Sequence, residues 1–362
     1  MGHSMGFRLW TKLGLFAVSF LALCALHTDS EGRMRQLLGK AGATAGEERD
    51  EREQQTSGTS SVDPKLQDFN TRCQSPGVVK CFGFDAAKEL QAHLSPAWDG
   101  SYRGTLDTTV KASGDGSLRF EIPPKSPANT SGSFWLDFSD DLKAQFGEGE
   151  EFFVQWRQRF SPELLGTHYN GGDGWKQIIV GEGDRPGVRA DSCTQLEMVV
   201  QNQYQRGFPQ MYHSCGGKDQ NYEPLQFWDT RLGNIALQNG VGCSYAHPSV
   251  PPCVGYKPNQ WMTFQMHIKI GHWYKNDKHY NHDSTVQLWV AEEGKPSKLV
   301  IDFRPENGHG YDIANENTSA KYGKLWLLPY DTSKDWSQMH PTAYTWYDEV
   351  IVSRARIPDP KS

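Results

Sequence analysis

The chain has 362 residues and a formal net charge of −6, with 37 Lys and Arg against 43 Asp and Glu, and 12% of its side chains are aromatic. A mildly acidic balance without a basic patch excludes the electrostatic footprint of a nucleic-acid binder.

At the N-terminus Arg8 and Lys12 precede an apolar run from Leu13 to Leu26, the charge-then-hydrophobic order of a secretory signal. The run falls short of the roughly 20 apolar residues that span a bilayer. Residues 1–26 therefore read as a signal peptide, with Ala22 and Cys24 the best small-residue pair for cleavage. The alternative is a short uncleaved anchor, which would be the chain's one route to a membrane. Residues 27–62, including GKAGATAGEERDEREQQTSGTSS, carry few large apolar side chains and many charges. Such a segment cannot bury enough surface to offset the entropy of ordering, and reads as a disordered linker. Residues 63–362 are aromatic-rich and turn-rich, as in one large β domain.

Cysteine usage fits an exported protein. Beyond Cys24 the chain carries Cys73, Cys81, Cys193, Cys215, Cys243 and Cys253, an even set that reads as a disulfide framework. The sequence leaves the connectivity open, with Cys73–Cys81, Cys193–Cys215 and Cys243–Cys253 the economical local choice. Closely spaced thiol pairs of the kind that bind zinc are absent. Asn129-Thr-Ser and Asn317-Thr-Ser are glycosylation acceptor sequences in expected loops.

Within residues 63–362 the pattern is one of short alternating segments. In Phe152 to Phe160 (FFVQWRQRF), Phe152, Val154, Trp156 and Phe160 point one way, and Gln155, Arg157 and Arg159 the other. In Trp261 to Ile270 (WMTFQMHIKI), Met262, Phe264, Met266, Ile268 and Ile270 oppose Gln265, His267 and Lys269. Val286 to Val290, Leu325 to Leu328 and Tyr344 to Val352 behave alike, between clusters of Gly, Pro, Asn and Asp. Strands wet on one face and buried on the other predict an all-β antiparallel sandwich. No GxGxxG, P-loop or internal repeat is present, which removes the nucleotide-binding α/β folds.

Two parity arguments locate candidate residues. In Lys176 to Val180, Ile178 and Val180 take the core side and leave Trp175 and Gln177 opposite. If Thr194 to Asn202 and Pro209 to Ser214 form a hairpin, Cys193 falls opposite Cys215 and Gln195 opposite His213, so that Gln195, Glu197 and His213 share a face beside a disulfide.

The order of these segments, EEFFVQWRQRFSPELL, GWKQIIVGEG, WMTFQMHIKI, VQLWVAEEGKPSKLV and AYTWYDEVIVSRARI, resembles the concanavalin A-like lectin/glucanase superfamily. More narrowly it resembles jelly-roll polysaccharide lyases of the heparin-lyase and glucuronan-lyase type, over roughly residues 80–358. The resemblance implies a glycan partner held on the concave face of one sheet, and a structural calcium ion of the kind several members carry. No other cofactor is expected, no particular metal ligands can be named, and the chain is expected to be secreted and monomeric.

A lyase removes the proton beside a uronate carboxylate and expels the glycosidic oxygen, so it needs groups that neutralise the carboxylate together with a base and an acid. The resemblance assigns the carboxylate contact to Gln177. His213 is the candidate base, Tyr347 or Tyr212 the acid, and Arg157 and Arg159 the carboxylate grips. Glu197, a carboxylate on a half-covered sheet, needs a partner or a task. Gln195 and Trp175 complete the expected groove, and Trp98, Trp228, Trp273 and Trp336 are further sugar-stacking candidates. His272, His279 and His282 read as an exposed hairpin tip. Two alternatives remain open: a non-catalytic lectin-like module, and a retaining glycoside hydrolase using Glu197, which would need a second carboxylate.

Overall fold

The structure, a computed structural model, describes residues 63–171, 174–202, 209–213, 215, 255–273, 281–313, 319–332 and 334–361. All of them fall within the compact unit Ser60–Ser362. The expected signal and linker lie outside the described residues.

The strands in chain order are β1 Val78–Phe82, β2 Leu94–Ser95, β3 Gly104–Asp107, β4 Ser117–Ile122, β5 Ser133–Asp137, β6 Glu151–Phe160 and β7 Lys176–Glu182. They continue as β8 Met198–Asn202, β9 Pro209–His213, β10 Trp261–Lys269, β11 Thr285–Ala291, β12 Lys298–Phe303, β13 Tyr322–Leu327 and β14 Ala343–Ser353. Helix α1 is Pro64–Cys73, α2 Ala87–Ala92 and α3 Pro162–Gly166. Two antiparallel sheets face each other. The larger runs β12-β11-β10-β6-β14-β4-β3 with β1 on β14, and the smaller runs β2-β5-β13-β7-β8-β9. This is the antiparallel β-sandwich that the alternating pattern predicts, in the jelly-roll form that the resemblance implies.

The alternation in β6 and β10 is realised as read. Phe152, Val154, Trp156 and Phe160 meet Met262, Phe264, Met266 and Ile268 in the core between the sheets. Their polar alternates form the outer face of the larger sheet, and much of that face is covered. Helix α1 starts on an Asp63 cap that accepts a hydrogen bond from Lys65 N. Its Phe69 packs with Phe153, Ile351 and Ile357. The chain end lies on the same face: Gln265 Nε2 donates to Ile357 O at 2.9 Å, Ile357 N donates to Gln265 Oε1 at 2.8 Å, and Gln155 Nε2 donates to Pro358 O at 3.1 Å.

Cys73–Cys81 and Cys193–Cys215 are bonded, with Cα–Cα separations of 5.9 and 4.9 Å. Cys243 and Cys253 lie outside the described residues. Asn129 is half-buried in a loop, and Asn317 lies outside the described residues.

Two local registers depart from the sequence reading. In the β8–β9 hairpin Met198 pairs with His213, Val199 with Tyr212 and Val200 with Met211. The expected partner of His213, Gln195, is three positions earlier, because residues 192–196 bend before the strand begins. An odd shift exchanges the faces, so His213 takes the core side with Met198, and Tyr212 takes the outer side. In β7 the register slips between Lys176 and Ile178. The extra residue of this bulge resets the alternation. Gln177 and Trp175 turn inward and Lys176 outward.

Candidate functional site: a cationic and aromatic cleft on the smaller sheet

Strand pairing aligns side chains on the outer face of the smaller sheet into transverse rows. Trp135 (β5) pairs with Trp326 (β13), Trp326 with Ile179 (β7), Ile179 with Val199 (β8), and Val199 with Tyr212 (β9). The row packs as one apolar cluster with Leu328 and Tyr330. On one side of it Lys324 pairs with Asp137 and with Gly181. A Cβ at Gly181 would stand 3.1 Å from Leu196 O and 3.3 Å from the Trp326 ring, so glycine lets that ring and the chain just before β8 close over this point. On the other side Lys176 pairs with Gln201, and Gln201 with Gln210.

At the β7–β9 end these rows floor a cavity of about 270 Å³ lined by Lys176, Ile179, Ser192, Cys193, Glu197, Tyr212, Cys215, Leu328, Tyr330 and Thr332. Lys176 Nζ lies 4.5 Å from the centroid of the Tyr330 ring and 5.8 Å from that of Tyr212, and donates to Thr332 Oγ1 at 3.2 Å. An ammonium over two phenol faces is held by their quadrupoles. Glu197 is buried within the wall; burial, and after it the charge of the Glu197 carboxylate, pushes the Tyr322 hydroxyl upward. The Cys193–Cys215 bond forms part of the lining.

The other site residues inferred from sequence lie elsewhere. Gln177 is inside the sandwich: its Nε2 donates to Gln158 Oε1 at 2.8 Å, the Tyr256 hydroxyl donates to its Oε1 at 2.5 Å, and the Tyr347 hydroxyl donates to its carbonyl at 2.8 Å. Burial raises the Tyr347 hydroxyl well above the usual tyrosine range. Trp175 packs in the core against Phe160 and Tyr256. His213 is buried 3.4 Å from the Tyr311 hydroxyl, with the rings edge to face. Gln195 is half-buried in the bend before β8.

Arg157 and Arg159 lie on the outer face of the larger sheet, across the sandwich from the cavity. Arg157 reaches Glu349 at 3.4 Å and Glu293 at 3.9 Å beside the Trp261 ring. Arg159 donates to Asn259 Oδ1 at 3.4 Å. Of the inferred set, Glu197 and the alternative acid Tyr212 line the cavity, while Lys176 and Tyr330 were not singled out. Lys176 stands one residue before Gln177, and only the bulge turns it outward. Tyr330 follows Pro329 beyond the end of β13, where no periodicity marks it.

Among the described residues no three His, Cys, Asp or Glu side chains gather as a metal site, and no helix is long and apolar enough to cross a membrane. His272 and His282 each pair with one carboxylate, Asp283 and Asp312, at 2.7 Å. His279 and Trp228 lie outside the described residues.

The chain is thus an antiparallel jelly-roll sandwich with a lysine–tyrosine cleft on the outer face of its smaller sheet. It is similar in structure to the marine PL-14 alginate lyase from Aplysia kurodai, at 13% identity and a TM-score of 0.49 over 78% of this chain and 99% of that one. It is similar also to the endo-beta-1,4-glucuronan lyase from the fungus Trichoderma reesei, at 12% identity and a TM-score of 0.40 over 75% and 98%. A third is the catalytic domain of the glycoside hydrolase family 131 protein from Coprinopsis cinerea, at 10% identity and a TM-score of 0.35 over 79% and 98%. No protein-family model and no curated protein sequence matches the chain.

Proposed function

We propose that the protein is a secreted carbohydrate-active protein that cleaves an acidic, uronate-containing polysaccharide by β-elimination in the Lys176–Tyr212–Tyr330 cavity. The observation that carries the reading is the position of the Lys176 ammonium over both tyrosine rings in a cavity that also contains Glu197. An elimination of this kind needs a cation to neutralise the uronate carboxylate, a base for the C5 proton and an acid for the leaving oxygen. Lys176 supplies the first. One tyrosine, in its phenolate form, takes the C5 proton and becomes the phenol, the C5–H electron pair forms the C4=C5 double bond, the C4–O bond breaks, and the second tyrosine hydroxyl protonates the departing oxygen. Glu197 accepts hydrogen bonds from sugar hydroxyls and fixes the ring. Two disulfides accord with an oxidising, extracellular setting.

The test is a panel of uronate polysaccharides in which the ultraviolet absorbance of the unsaturated product is followed. Turnover is expected on at least one acidic polymer, with a loss of about 100-fold or more in Lys176→Ala and in Tyr330→Phe or Tyr212→Phe. Binding without product would support the lectin-like alternative. New reducing ends without absorbance would support hydrolysis through Glu197.

A further inference from the structure

The row that floors the cavity does not stop at its edge. From Tyr212 it runs through Val199, Ile179 and Trp326 to Trp135, four inter-strand steps of about 4.8 Å, or about 19 Å. At the far end two cations lie over the half-buried Trp135 ring. Lys324 Nζ lies 4.4 Å from its centroid, and the Arg189 guanidinium carbon 4.6 Å. The two cations differ in what else they do. Lys324 is fully buried and committed to Asp184 at 2.6 Å and Asp137 at 3.9 Å. Arg189 is exposed; its charge is felt by the Asp137 carboxylate, but among the described residues no carboxylate comes within ion-pair distance of it.

Its position is built rather than incidental. Residues 185–188 close a tight turn through Arg185 N to Val188 O and Val188 N to Arg185 O, with Gly187 at φ 74°, a left-handed position that glycine takes without strain. Asp184, already fixed by Lys324, accepts a 2.8 Å hydrogen bond from Ala190 N and ties down the residue after Arg189. An exposed guanidinium over an indole ring is suited to a carboxylate.

We infer that Arg189 and Trp135 form an outlying subsite for a second carboxylate of the same acidic glycan, so that the ligand is an extended polyuronate lying across the strands from Tyr212 to Trp135. This rests on the acidic-glycan reading of the cavity, and it makes chain length and charge spacing determinants of affinity.

The test is calorimetric titration of the full chain carrying Tyr330→Phe, to hold back turnover, with oligogalacturonates and oligomannuronates as di- and hexasaccharides. The hexasaccharide of the accepted series should bind more tightly than the disaccharide. Arg189→Gln should weaken the hexasaccharide about ten-fold, the size of one charge-assisted hydrogen bond, and leave the disaccharide unchanged. Trp135→Ala should do the same, and the fully methyl-esterified hexasaccharide should be indifferent to Arg189→Gln. Equal hexasaccharide affinity with and without Arg189, or no dependence on length in the parent, overturns the inference. Turnover by the wild-type chain is scored separately, so an Arg189-dependent hexasaccharide bound without being cleaved would end the elimination reading and leave the subsite standing.

Discussion

Gln177 on the smaller sheet and Gln158 on the larger join their amides in the middle of the sandwich, Nε2 to Oε1 at 2.8 Å. Gln158 passes the contact on by donating to Thr345 Oγ1 at 2.9 Å, and the Tyr256 and Tyr347 hydroxyls saturate the Gln177 side chain and carbonyl. A polar network in an apolar core is stable only when complete, because each partner left unpaired pays its desolvation in full. Gln177→Ala should therefore destabilise the fold by about 2–3 kcal/mol, read from the urea midpoint at unchanged slope. If the protein keeps its stability and loses only activity, Gln177 acts on substrate and its inward position is not the populated one.

A second buried node fastens α1. Arg72 Nε donates to Asp68 at 3.0 Å and Nη1 to Gln155 Oε1 at 2.7 Å, while Nη2 bonds Glu349. Glu349 sits at φ 49° in the irregular stretch of β14 between Asp348 and Ile351, a strained backbone that aims its carboxylate under the helix. Arg72→Met would leave Glu349 buried without its main counter-charge, at a cost of about 3–5 kcal/mol. Adding Glu349→Gln should restore part of that loss. A double variant no more stable than Arg72→Met would show that the pairing is not the source.

The sheets were legible in the sequence because β6 and β10 alternate, and each inward residue except Gln158 is large and apolar. The site was less so. Parity assigns a residue to a face only while register holds, and it failed at the Gln177 bulge and at the bends before Met198, each time by an odd number of positions. It also cannot say which sheet a strand joins. Arg157 and Arg159 have the alternation of a wet face, and that face proves to be the outer side of the larger sheet, away from Glu197. The pairing of Cys193 with Cys215 survived the shift because the loop, not the ladder, brings them together: Cys215 N donates to Thr194 O at 3.0 Å.

Asp107 gives the larger sheet a measurable acid dependence. Burial works against its charge, but hydrogen bonds from Trp346 Nε1 at 2.9 Å, from the Thr109 hydroxyl and amide, and from Val110 N outweigh it and hold the carboxyl at about 2, against 3.8. A depressed folded-state value means that the carboxylate's contribution is complete above pH 3.8 and is lost as the pH falls towards 2. Acid titration of thermal stability should show a decline across that window that is shallower in Asp107→Asn. Parallel curves for the two proteins would assign the decline to other carboxylates.

The Cys193–Cys215 bond joins two jobs that can be separated by experiment. It closes a loop of 22 residues in sequence separation, worth about 3 kcal/mol in the chain-entropy account, and both cysteines line the cavity beside Glu197 and Tyr212. Most of the fold does not depend on it, since β7 and β13 are held by their own ladder and by the core. Cys193→Ser with Cys215→Ser should lower the unfolding free energy by about that amount while leaving a cooperative transition. It should weaken acidic-glycan binding more than the stability loss explains, because residues 192–196 would no longer be held as the cavity wall. Binding measured well below the variant's melting temperature checks this: unchanged affinity in a folded variant would mean that the bond only stabilises the hairpin and that the wall is shaped by the strands alone.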